Sequence, residues 1–182
     1  MILKILISLA IVILVFVIVV ASRPADFRYQ RSITISAPPS AIFPHVDNLH
    51  LWQAWSPWPK KDPAAKNDFE GPPAGVGAAM SWVGNSDVGE GKMTIEECKT
   101  NEHVRFRLDF KKPFEGTNFA DFTFEPSGDH TLVTWSMSGK NNFVFKAVSL
   151  FMDCEKMIGG QFEKGLADLK RTVENGEHTQ RQ

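Results

Sequence analysis

The sequence predicts an α+β fold: an antiparallel sheet curved around a long C-terminal helix, preceded by an N-terminal transmembrane helix. Three observations lead there. A nearly unbroken run of Ile, Leu and Val fills Ile2–Ala21. Short stretches of period-two alternation recur from Met80 to Ser138, the signature of half-buried strands. Finally, Val144, Val148, Phe151, Ile158, Phe162, Leu166, Leu169 and Val173 recur at helical spacing and form one apolar stripe. A chain of 182 residues fits one domain with a substantial core.

The N-terminal run carries one charge, Lys4. Twenty residues rising about 1.5 Å each span about 30 Å, the thickness of a bilayer hydrocarbon core. A cleaved signal peptide usually has an apolar region of about 7–15 residues, and Ile5–Val20 is longer. An uncleaved anchor over residues 1–22 is therefore expected, in the membrane through residues 2–21. Arg23, Arg28 and Arg31 follow the segment, whereas only Lys4 and the amino terminus precede it. That bias leans toward a cytoplasmic domain. A linker over 23–27, a domain over 28–174 and a polar tail over 175–182 complete the expected organisation.

The tail of Phe27–Ile35 alternates as a first strand. Ser36-Ala37-Pro38-Pro39-Ser40 then opens helical structure, since proline is tolerated in a first turn. Pro44 splits the following apolar face, so two short helices are expected. Trp52, Trp55 and Trp58 come next, closed by prolines, and Lys60–Lys66 reads as polar loop. In the strand region Met80 and Trp82 share a face, as do Gly91, Met93 and Ile95. Val104, Phe106, Leu108 and Phe110 alternate with His103, Arg105, Arg107 and Asp109, the cleanest such pattern in the chain. Ala120, Phe122 and Phe124 share a face, and so do Val133, Trp135 and Met137. Tight-turn residues between these runs imply an antiparallel meander with one polar face. For the last helix, over 144–173, Asn141 and Asn142 offer an N-cap. Glu155 interrupts its stripe.

Several of these segments carry a family resemblance. They are Ile35-Ser36-Ala37-Pro38, Leu51 through Trp58, Gly75 through Trp82, Thr131 through Trp135, Met157-Ile158-Gly159 and Phe162 through Lys170. In this order they resemble the START-related helix-grip (SRPBCC) superfamily, in its polyketide cyclase/dehydrase-like branch, over residues 28 to 174. The resemblance implies a helix-grip fold with a deep cavity for lipids, sterols, polyketides or other apolar ligands. It implies no single activity, because this fold hosts carriers, cyclases, hydrolases and partner-binding modules.

The expected cavity lies between sheet and helix. Its candidate lining residues are Trp55, Met80, Trp82, Met93, Phe106, Phe122, Trp135, Phe151, Glu155, Ile158 and Phe162. Glu155 is the sharpest of them, because an ionised carboxylate on an apolar wall is costly unless paired. The inward strand faces read above offer no Lys or Arg partner, so an indole N–H of Trp82 or Trp135, water, or a solvent-reaching position near the cavity mouth must satisfy it.

Other chemistries find little support. A net charge of −1 with intermixed signs gives no nucleic-acid footprint. His45, His50, His103, His130 and His178 show no metal-ligand spacing and read as surface residues; His45 and His50 flank the Trp-rich stretch, and lining a cavity entrance is the alternative for them. Gly89-Glu90-Gly91-Lys92-Met93 lacks the Ser/Thr and following helix of a phosphate loop. Cys98 and Cys154 are too few for a disulfide framework. No Cys or Ser can be tied to a base, and no catalytic residue, metal or cofactor is assigned. The expected function is a membrane-anchored binding domain for a small hydrophobic ligand, lipid or polyketide-like. The alternatives are an enzyme on the same scaffold (cyclase, dehydrase or hydrolase) and a partner-binding module whose cavity has closed into a core.

Overall fold

Val104 and Phe106 are fully buried in the middle of the sheet, with Arg105 between them facing the other way. The computed structural model describes the backbone of residues 1–180 and the side chains of residues 1–176. Seven strands form one antiparallel sheet: β1 (Asp26–Ile35), β2 (Lys66–Glu70), β3 (Ala79–Val83), β4 (Glu90–Lys99), β5 (His103–Lys112), β6 (Gly116–Ser127) and β7 (His130–Lys140). Their order is β1-β7-β6-β5-β4-β3-β2, a meander to which the first strand returns along β7. β2 begins at Lys66, the last residue of the expected polar loop, in a stretch for which no individual strand is expected. Only Phe69 in it turns partly inward, and pairing with β3 makes it a strand.

Between β1 and β2 the chain makes four one-turn helices: α2 (Pro39–Ile42), α3 (Pro44–Asp47), α4 (Trp52–Trp55) and α5 (Trp58–Lys61). A 3-10 turn at Leu49–Leu51 precedes α4. Proline occupies the first turn of α2, α3 and α5; it can start a helix but cannot continue one from within. α2 and α3 are the pair of short helices expected on either side of Pro44, and α4 and α5 follow in the Trp-rich stretch.

The C-terminal helix is also interrupted. α6 (Phe143–Val148) and α7 (Cys154–Gln180) replace the single helix expected over 144–173. Asn142 Oδ1 accepts the Phe145 N–H at 2.9 Å and opens α6 as expected. Ser149 Oγ then donates to the Lys146 carbonyl at 2.8 Å, and Asp153 Oδ1 accepts the Lys156 N–H at 2.9 Å. These short polar side chains satisfy backbone groups locally and favour helix ends over helix interiors. The stripe survives only beyond the break: Phe162, Leu166, Leu169 and Val173 are buried, whereas Val144 is 48% and Phe151 81% exposed.

α7 lies on the concave face, chiefly along β1. Two glycines let it approach. A Cβ at Gly165 would crowd the Trp135 ring and Pro57, and one at Gly159 would overlap the Arg31 guanidinium. Asp168, nearly buried on α7, is held by Lys60 of α5 and Arg171 of its own helix.

The N-terminal helix α1 (Ile2–Ser22) is long and apolar enough to cross a bilayer, a property a signal sequence shares. Residues 1–19 are exposed. Only Val20 is buried, where the last turn meets α6. The Asn141 N–H donates to the Ala25 carbonyl at 2.8 Å and ties the linker to the start of α6.

Candidate ligand-binding site

The concave face divides into two halves. In cross-strand register, Trp135 opposes Phe122 and Phe122 opposes Val104, which places them in one row of the face that α7 covers. Trp52 and Trp55 of α4 enter the same space. The Trp135 ring stacks on Phe162 with centroids 4.2 Å apart and on Phe122 at 4.9 Å. Trp52 lies 4.8 Å from Trp55 and 5.2 Å from Phe106. Their donors are largely satisfied: Trp52 Nε1 donates to the Val46 carbonyl and Trp55 Nε1 to the His45 carbonyl, both at 2.8 Å. This half is packed core, so the deep cavity expected between sheet and helix is filled by aromatic rings.

Seven of the eleven candidate residues belong to that buried core: Trp55, Met80, Met93, Phe106, Phe122, Trp135 and Phe162. Trp82 and Ile158 are half-buried at its border. Phe151 and Glu155 are exposed: Phe151 corrects the reading that places it on a cavity wall, and Glu155 reaches solvent, the alternative to its place on that wall. Phe151 falls in the break between α6 and α7 and lost its inward direction there. Glu155 sits in the first turn of α7, where its side chain is 62% exposed and pairs with Arg31 at 3.3 Å.

Arg31 corrects a second reading, that the inward faces carry no cation. It pairs in register with Trp135 and shares the concave face. Its Nε donates to Glu163 Oε1 at 2.6 Å, its Nη1 to Glu155 Oε1 and to the Gln30 carbonyl. Neither indole serves Glu155. Trp82 Nε1 donates to the Val88 carbonyl at 3.3 Å, and Trp135 Nε1 is buried without a partner.

The other half of the concave face is open. Tyr29 opposes Met137, Leu108 opposes Asn118 and Phe110 opposes Gly91, beside Trp82. All except Gly91 are half-buried rather than enclosed. Gly91 is tight because a Cβ there would enter the Trp82 ring, and that ring meets Phe110 edge-on at 5.7 Å. α6 crosses this end, Phe145 touching Phe114 of the β5–β6 turn at 5.2 Å. Partial burial raises the Tyr29 pKa, helped by the nearby Cys154, Glu155 and Asp153, so its hydroxyl is a neutral donor on an apolar strip. The sequence marks Leu108, Phe110 and Met137 as inward-facing. Nothing in it distinguishes the half that stays open, because that depends on where α4 places its two tryptophans.

His45 is half-buried rather than at the surface. Burial lowers its pKa, and its Nδ1 has no partner. Asp47 nearby is raised by burial. Among the described residues no group of three or more His, Cys, Asp or Glu is arranged to hold a metal ion. A shallow surface concavity of about 720 Å³ lies at the opposite end of the sheet beside Pro39, Thr100 and Glu125 and contains none of the candidate residues.

Comparison with known proteins supplies the family. The model for polyketide cyclase / dehydrase and lipid transport proteins matches residues 26–174. The chain belongs to that family. Its fold is also that of distant solved structures. A norcoclaurine synthase point mutant from Thalictrum flavum, in complex with a transition-state analogue, is 14% identical with a TM-score of 0.63, covering 85% of this chain and 98% of that one. The Aha1 dimer from Colwellia psychrerythraea is 19% identical, TM-score 0.59, covering 81% and 96%. Protein CV1439 from Chromobacterium violaceum is 16% identical, TM-score 0.57, covering 84% and 99%. A search of curated proteins finds no match.

Proposed function

We propose that this polyketide cyclase-like chain is a membrane-anchored binding domain for a small hydrophobic ligand, a lipid or polyketide-like molecule. The ligand lies on the open half of the concave face. One observation carries the reading: Tyr29, Met137, Leu108, Phe110 and Trp82 form a partly buried apolar strip at the border of a core that is otherwise filled. Covering such a strip removes apolar area from water, the main driving force for binding an apolar molecule. The family description, which includes lipid transport, agrees with it. In this reading α1 anchors residues 1–22, residues 23–27 link, and the domain over 28–174 works beside the bilayer where apolar ligands partition. The packed aromatic core favours a second reading, a partner-binding module without a ligand. Native mass spectrometry of the full chain, purified in mild detergent, separates the two. An added mass that partitions into organic solvent supports binding; a folded chain that is always empty supports the second reading.

A further inference from the structure

We propose that α6 and the link from Ser149 to Asp153 insert into the surface of a lipid bilayer beside α1, so that the open half of the concave face looks directly onto lipid. This rests on the reading of α1 as a membrane anchor. Among the described residues after α1, nine large apolar side chains are exposed: Leu51, Val76 and Val83, and six others. Those six are Phe114, Phe143, Val144, Phe151, Met152 and Met157. They belong to α6, the link, the first turn of α7 and the β5–β6 turn that Phe145 touches. Scattered exposed apolar residues are ordinary, but a gathered group marks an interaction surface. From Phe143 to Met152 the only charge is Lys146.

The position of α1 says what covers this surface. Its residues 1–19 stand clear of the domain, and its last turn is buried on α6 at Val20. The exposed edge of α6 therefore continues the apolar surface of a helix long enough to span a bilayer. Only Arg23, Pro24 and Ala25 separate α1 from β1, a reach of about 10 Å even when fully extended. The Asn141–Ala25 hydrogen bond removes much of that slack. α6 is thus held within the interfacial layer, where amphipathic segments bury apolar side chains about 5–10 Å deep. A ligand leaving the bilayer there would meet the strip without crossing water.

Site-directed spin labelling of the full chain tests this. In a Cys98→Ser, Cys154→Ser background, single labels are placed by Phe151→Cys, Leu14→Cys and Thr100→Cys. All three sites are exposed, so the labels leave packing intact. The protein is reconstituted into phosphatidylcholine vesicles, and collisions with oxygen and with a water-soluble nickel chelate are compared. The inference expects the labels at 14 and 151 to favour oxygen, with the ratio at 151 several-fold above that at 100, on the far β4–β5 turn. A label at 151 as nickel-accessible as the one at 100 overturns it. Low access to both reagents with dipolar broadening means that a second copy covers the surface, and also overturns it. An aqueous label at 14 removes the anchor and the inference together. Ligand mass from the same preparation keeps the two readings apart. Bound lipid with an aqueous residue 151 rejects only this inference, and an immersed residue 151 on an empty protein rejects only the binding function.

Discussion

Arg31 of β1 fills the space that a side chain at Gly159 of α7 would occupy. The guanidinium acts as a peg between strand and helix, bonded to Glu155 and Glu163 on the helix and to the Gln30 carbonyl on the strand. Gly159→Leu should expel it and lower the thermal midpoint. In an Arg31→Ala background the same change should be neutral or stabilising, because removing glycine from a helix interior gains about 0.5–1 kcal/mol. If Gly159→Leu is harmless with Arg31 present, the two do not meet.

Glu155 is the more distant of the two carboxylates bonded to Arg31, at 3.3 Å against 2.6 Å for Glu163, and its side chain is 62% exposed. Exposed ion pairs contribute little. Glu155→Gln and Glu155→Leu should both shift the thermal midpoint much less than Gly159→Leu does. A marked gain on Glu155→Leu would instead place the carboxylate against an apolar cavity.

The aromatic core carries the stability. Phe106 is fully buried and Trp135 3% exposed, so Phe106→Ala and Trp135→Ala should each cost about 3–5 kcal/mol in denaturant unfolding. Their neighbours face the convex side. Arg105 lies over the Phe119 ring at 4.5 Å, and Thr134 pairs with Ser32 at 2.8 Å. Arg105→Ala and Thr134→Ala should cost about 1 kcal/mol or less. The opposite ranking would mean a register shifted by one residue.

His45 should make stability depend on pH. Burial holds its folded pKa below the ordinary value of 6.5, so the unfolded chain takes up the proton first. The neutral form's advantage is complete above pH 6.5 and declines as pH falls through that value, levelling off below the lowered folded pKa. His45→Gln should flatten this part of the curve. Asp47, raised by burial, works in the opposite direction at more acidic pH and should persist in that variant. An unchanged slope between wild type and His45→Gln would show that His45 is not desolvated.

Legibility in the sequence tracked how strongly local pattern and final packing agree. The Val104–Phe110 alternation names strand and inward face at once, and the sheet and C-terminal helix follow from such runs. β2 was illegible because Phe69 is its only apolar side chain. The α6–α7 break was hidden because Phe151 kept the helical phase, while Ser149 and Asp153 diverted the backbone by local hydrogen bonds. Arg31 escaped because a long cation on an inward face is visible only once Gly159 and two glutamates are seen to receive it. The filled cavity depends on α4 carrying Trp52 and Trp55 across the sheet, a tertiary arrangement that no periodicity encodes.

The central claim is that an apolar ligand occupies the open half of the concave face. It is tested most directly by comparing the bound mass of the wild-type full chain with that of Leu108→Trp, purified in the same mild detergent. Leu108 is half-buried on the strip, so an indole there can fill ligand space without entering the packed core. The account predicts that the wild type carries an apolar mass and that Leu108→Trp loses it while keeping its thermal midpoint. A folded wild type that is always empty, or a variant that retains the same mass, would contradict it.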